Sequence, residues 1–102
     1  MKDSKHYVLI GSFKDGAPKG PEFKALLDAH HAYLKPYFDD GKILVSGPKA
    51  AGGGGVILIK LDDGEDINDF CAADPFVING VQEYEITEFK VFEIQENAGG
   101  WR

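Results

Sequence analysis

In a chain of 102 residues, the side chains suited to proton transfer or nucleophilic attack near neutral pH are few: His6, His30, His31 and the single cysteine, Cys71. His30 and His31 are adjacent in "AHHAYL", and helical phase separates them. At 100° per residue, with Phe23 at zero, His30 falls roughly 20° from the centre of the apolar stripe and His31 roughly 80° away, at its edge. His30 therefore points where the helix packs. An imidazole there needs a hydrogen-bond partner or a solvent-filled pocket, because burying it unpaired costs about 1 to 3 kcal/mol. Two readings stay open for it: a core histidine bonded to a backbone carbonyl, or a pocket base.

The second group of interest is Asp74 in "AADPFVIN". Asp followed by Pro is the usual pattern of a helix N-cap with proline at the first helical position, so one reading of Asp74 is local, as the start of a short turn. A carboxylate can also bond a backbone N–H with one oxygen and an imidazole with the other, so the capping and partner readings are compatible. The remaining candidates are plainer. The histidines and nearby acids form no recognised ligand spacing, so no metal site is expected. Cys71 lies on the apolar face of a short helix and reads as a buried, inert thiol. "AAGGGG" at 50–55 lacks phosphate-loop or dinucleotide spacing and reads as a flexible hairpin connection.

These groups must be positioned by a small set of elements. Residues 6–13, "HYVLIGSF", read as a strand followed by a Gly and Pro loop. From 21 to 40 the apolar residues Phe23, Leu26, Leu27, Leu34, Tyr37 and Phe38 keep helical spacing, with Gly41 just past the end. Pro36, in the last turn, is expected to kink or loosen it. Residues 42–48 and 55–62 read as strands, the second with an apolar run that suggests burial on both faces. A brief helix with Asp66 as N-cap follows, ending near Asp74, and Pro75 is suited to begin a new turn. In the last strand the apolar parity moves from Tyr84 and Ile86 to Phe89 and Val91, which suggests a β-bulge or a change of partner. Residues 95–102 are polar and glycine-rich apart from Trp101 and read as a flexible tail unless it docks on a partner.

The order βαββαβ predicts one α+β domain over 1–102 of the ferredoxin-like, split βαβ type: a four-stranded antiparallel sheet with both helices on one face. The other face carries apolar residues that helices do not cover. A second copy of the sheet would bury them, so a homodimer packed face to face, or a higher assembly built from it, is expected. Hydrophobic residues at 43% and charged residues at 27% match a globular chain. The net charge of −6 and pI of about 4.9 disfavour nucleic acid, as does the lack of an RNA-recognition aromatic motif. The longest apolar run, "VILI", falls far short of the ~20 residues that span a bilayer, and the first residues lack a signal-peptide core, so a cytoplasmic protein with no membrane partner is expected.

The segments "AHHAYLKPYFDDGKILVSGP" and "FCAADPFVINGVQEYEITEFKVFEI" resemble the YciI-like, or YCII-related, domains: a helix carrying His, then "YL", a strand ending in "GP", a "DPF" turn followed by "GV", and an aromatic last strand. The likeness covers nearly the whole chain in one order. It places the family histidine on His30, with His31 where leucine is usual, and the family aspartate on Asp74. It implies a dimeric α+β barrel with a His and Asp pair in a pocket between helices and sheet, and no cofactor. One characterised relative is a dehydrochlorinase of a chlorinated, hydroxylated aromatic. The implied activity is therefore general acid/base chemistry of the lyase, dehydrohalogenase or isomerase type on a small cyclic or aromatic metabolite. An imidazole held in one tautomer by a carboxylate can take a proton from a phenol or an activated C–H. The alternative is a non-catalytic module that binds a small molecule in the same pocket. Ser46, before "GP" where a small apolar residue is commoner, is a candidate ligand contact or a strand-end hydroxyl. Tyr7 and Phe76 are candidate lining residues, with core packing as the competing explanation.

Overall fold

The computed structural model describes residues 4–102. Its elements run β1 Lys5–Phe13, α1 Gly20–Asp39, β2 Ile43–Pro48, β3 Gly54–Leu61, α2 Ile67–Ala72, α3 Pro75–Ile78 and β4 Gln82–Phe89, followed by a 3-10 helix at Glu96–Trp101. The four strands form one sheet in the order β2-β3-β1-β4, every neighbouring pair antiparallel. This is the ferredoxin-like α+β arrangement, with the second helix of the motif divided into α2 and α3. Asp66 caps α2 by accepting from the Asn68 N–H at 2.7 Å. The α region is disfavoured for a residue before proline, and the helical path stops accordingly at Asp74 before restarting at Pro75.

The core lies between the helices and the inner sheet face. Alternate strand residues Tyr7, Leu9, Ile57, Ile59 and Leu61 pack there with Leu34 of α1 and with Ile67, Phe70 and Cys71 of α2. The opposite parity of β3, which a second copy was expected to cover, is open in the single chain. Val56 is 38% exposed, because the helices cover one side only. Ile10 and Val45 stand exposed on that same outer face.

α1 runs unbroken through Pro36. Proline there removes one N–H, while the following groups close the helix: Gly41 N–H to Phe38 O at 3.0 Å and Lys42 N–H to Tyr37 O at 2.9 Å, the paired bonds of a Schellman end. β4 carries no bulge. Its register with β1 is continuous from Phe13↔Gln82 to His6↔Phe89, and the parity change arises because Phe89 belongs to an outer-face cluster at the end of the sheet. The register shift lies instead in β2, between Ile43 and Val45. The tail docks through its indole. Trp101 is 7% exposed, its indole N–H donates to Lys42 O at 2.9 Å, and its ring meets His6 edge-on with centroids 4.9 Å apart. His6 is buried between Trp101 and Phe89, with Nε2 unpartnered. No helix among the described residues is long and apolar enough to cross a membrane.

Candidate functional site

Asp74 is the fixed point of the site. Its N-cap position makes Oδ1 accept from the Phe76 N–H at 2.9 Å, so the turn that builds α3 also holds the carboxylate still. α1 passes alongside α3 and brings His30 Nδ1 within 2.8 Å of Oδ2 and 3.0 Å of Oδ1. From β4, the Tyr84 hydroxyl donates to Oδ2 at 2.6 Å. The carboxylate is fully buried, at 0% exposure, and has three donors from three elements. A buried charge is tolerated only when satisfied in this way. The capping and imidazole-partner roles left open by the sequence therefore coexist in one side chain.

The hydrogen-bond polarity follows from the carboxylate. An ionised carboxylate only accepts, so His30 Nδ1 must donate, and the neutral ring then carries its lone pair at Nε2. The imidazole is also held by packing: it stacks on Phe76 with centroids 4.6 Å apart. Phe76 in turn packs against Phe13 and Phe23, at 5.4 and 5.8 Å.

His30 forms part of the wall of a cleft of about 430 Å³ between α1, the inner sheet face and the β2–β3 connection. Phe13, Phe23, Leu27, Leu34 and Phe76 make much of its wall apolar, and His30, His31, Ser46, Gln82 and Tyr84 supply side-chain polar groups. The volume lies within the ~300 to 1,000 Å³ range common for small-molecule sites. Ser46 reaches this wall because of the β2 register shift. Ile43 pairs with Ile59 and Ser46 with Ile57, both inner-face residues of β3. In a regular strand, positions three apart would face opposite sides; the extra residue turns Ser46 inward.

The glycine run also lines the cleft, through Gly52, Gly53, Gly54 and Gly55. Gly54 has φ +148°, and a Cβ there would overlap the Gly11 carbonyl oxygen, so the wall at that point is necessarily bare backbone. His31, set at the stripe edge by helical phase, reaches the cleft wall too, with its ring 5.6 Å from that of His30.

Tyr7 does not reach the cleft. It is 6% exposed in the core and pairs with Ile59 and Glu88, whereas the cleft lies toward the other end of β1, where Gly11 pairs with Gly55 and Tyr84. Tyr84 and Gln82 were not singled out in the sequence. For Tyr84 a signal existed, since a tyrosine on the core face of a strand needs a partner for its hydroxyl; for Gln82 the sequence held none.

Titration behaviour follows burial. The Tyr84 phenol is pushed well above its ordinary range by burial and by its hydrogen bond to the Asp74 carboxylate, so it remains a donor throughout the neutral range. Burial, and secondarily Asp74, raises the Cys71 thiol from 9.0 to about 11, which keeps it protonated and unreactive near neutral pH. Tyr33 is likewise raised, chiefly by burial, and its hydroxyl donates to Phe70 O at 2.8 Å, tying α1 to α2.

The sequence matches the YCII-related domain model over residues 5–90. Among solved structures, the fold is similar to that of 5-chloro-2-hydroxyhydroquinone dehydrochlorinase (TftG) from Burkholderia phenoliruptrix in complex with 2,5-dihydroxybenzoquinone. The TM-score is 0.64 at 20% identity, covering 83% of this chain and 93% of that one. No curated protein matches the sequence.

Proposed function

The chain belongs to the YCII-related domain family, and we propose that it is an acid/base enzyme of the lyase, dehydrohalogenase or isomerase type. Its substrate is a small cyclic or aromatic metabolite, with His30 as the proton-transferring group and Asp74 as the carboxylate that orients it. The observation that carries this reading is the fully buried Asp74, which commits His30 Nδ1 as a donor at 2.8 Å and leaves Nε2 as the ring's basic atom on a largely apolar cleft. The comparison with TftG, a dehydrochlorinase whose structure holds a six-membered dihydroxy ring, supports the substrate size and reaction type.

In the reaction, Nε2 takes a proton from a ring hydroxyl or an activated C–H. The bonding pair enters the ring system, where it either shifts a double bond or expels a leaving group with its own electron pair. The net change is isomerisation, with the proton returned to another ring position, or loss of HX, with the proton passing from His30 to solvent. Asp74 stabilises the imidazolium formed on the way. Acid/base work of this kind requires no cofactor. The exposed Ile10, Val45 and Val56 on the outer sheet face support a homodimer joined through that face.

Screening halogenated and hydroxylated rings for halide release or a change in ring absorbance provides the substrate, and His30→Ala provides the test. Turnover is expected to fall by about 10²-fold or more, the usual share of a general base. Turnover unchanged in His30→Ala overturns the role. A ligand that saturates the cleft without product in either protein would favour the binding-module alternative.

A further inference from the structure

Resting on the reading of this cleft as the reaction site, we infer that Gln82 is its second anchoring group. Its amide oxygen accepts a hydrogen bond from one ring hydroxyl while His30 Nε2 takes another, so that the cleft selects rings carrying at least two O–H or N–H donors.

Gln82 is the first residue of β4, 3% exposed, and belongs to the cleft wall. Its amide lies flat on the backbone of β1: a Cβ on Gly11 would come within 2.7 Å of Cδ, 2.8 Å of Oε1 and 2.9 Å of Nε2. The bare Gly11 is thus the space the amide occupies. Gln82 lines the cleft, and neither polar atom of its amide is a fully buried group left without a partner.

The polarity of its neighbours decides which end of the amide does what. Tyr84, on the same strand face and paired with Gly11, spends its hydrogen on Asp74. Its oxygen can then only accept. The Gln82 amide lies over Gly11, the cross-strand partner of Tyr84, and the only group it can offer a neighbouring oxygen that accepts is its amino end, which leaves Oε1 as the acceptor for a ligand. One carboxylate therefore sets two outputs. Through His30 it exposes a lone pair at Nε2, and through Tyr84 and Gln82 it exposes a second acceptor at Oε1. An acceptor facing an ether or carbonyl gains nothing, whereas a ring with two donors satisfies both.

The test uses the three dihydroxybenzene isomers, each against its dimethyl ether, titrated into the full chain by calorimetry or NMR shift changes. At least one diol should bind saturably and exceed its ether by about tenfold or more, the value of one or two hydrogen bonds to neutral groups. In Gln82→Met, close in size, that ratio should narrow by about fivefold with the ether's affinity unchanged. Gly11→Ala, which evicts the amide while leaving Gln82 in the sequence, should narrow it similarly if the variant folds. With a turnover substrate in hand, Gln82→Met should raise KM more than it lowers kcat. Diol and ether binding alike, no binding by any isomer, or an unchanged ratio in Gln82→Met each overturn the assignment. The two proposals separate cleanly: selectivity without turnover in any screen keeps the anchoring role and sinks the chemistry, and turnover without selectivity does the reverse.

Discussion

At the level of single residues, Asp74 organises more of the site than a catalytic partner alone would. It caps α3, fixes the His30 tautomer and receives the Tyr84 hydroxyl. Asp74→Asn keeps the shape but introduces an amide N–H that must face one of three existing donors. Stability should fall by about 1 to 3 kcal/mol in denaturant titrations, the cost of an ill-paired buried polar group. Turnover should fall by about 10²- to 10⁴-fold, as expected when a proton-transferring group loses its orientation. The Tyr84 phenol, held high partly by the carboxylate, should titrate closer to its ordinary range in the same variant, read from tyrosinate absorbance against pH. Cys71 offers a separate check. Its thiol is raised from 9.0 to about 11, so the native protein should resist alkylation at mildly alkaline pH while the unfolded chain reacts. The folded state holds the proton more tightly than the unfolded one, so this contribution to stability is complete below pH 9.0 and is lost as pH rises toward about 11.

Element geometry decides which side chains face the cleft. The register shift between Ile43 and Val45 turns Ser46 inward, and the division of α2 from α3 at Asp74–Pro75 puts a capping carboxylate where α1 can reach it. The glycine connection has a geometric duty as well. With φ +148° and the Gly11 carbonyl against its Cα, Gly54 admits no side chain. Gly54→Ala should cost at least about 2 kcal/mol and displace the β2–β3 connection from the cleft, measured by thermal unfolding and by loss of ligand affinity. A variant of wild-type stability would show that the close approach to β1 is not obligatory.

For the molecule as a whole, the outer sheet face is divided in two. At one end Trp101 covers His6 and Phe89, and at the other Ile10, Val45 and Val56 stand open. Trp101→Ala removes a buried ring and the bond to Lys42 O, and should destabilise the fold by about 3 to 5 kcal/mol. A much smaller loss would mean that the tail contributes little to the fold. The open end is where the proposed homodimer would form. Sedimentation at micromolar concentration should give a dimer, and Val56→Lys, which places a charge on β3 between the strands that carry Val45 and Ile10, should shift it toward monomer. A monomer in the unsubstituted protein would remove the proposal.

Local rules made much of the fold legible. Apolar spacing and the Gly and Pro punctuation located the strands and helices, Asp66 and Asp74 read as caps, and helical phase turned His30 toward the packed side of α1. What local pattern could not supply was proximity. That His30 meets Asp74, that Tyr84 and Gln82 join them, and that Tyr7 stays behind in the core depend on strand register and on the packing of α1 beside α3, which are interactions between residues far apart in the chain. The expectation of a bulge in the last strand failed for the same reason: parity along one strand does not tell whether Phe89 changes face or meets a different neighbour, here His6 beneath Trp101. For the tail, composition singled out Trp101 but could not locate the buried site its indole takes beside His6. Sequence by itself thus determined the fold class and offered the two candidate groups, because both rest on short-range periodicity and capping. Only the tertiary structure decided their partners and the wall around them, because hydrogen-bond polarity and cavity shape are set by contacts across the sheet and between helices.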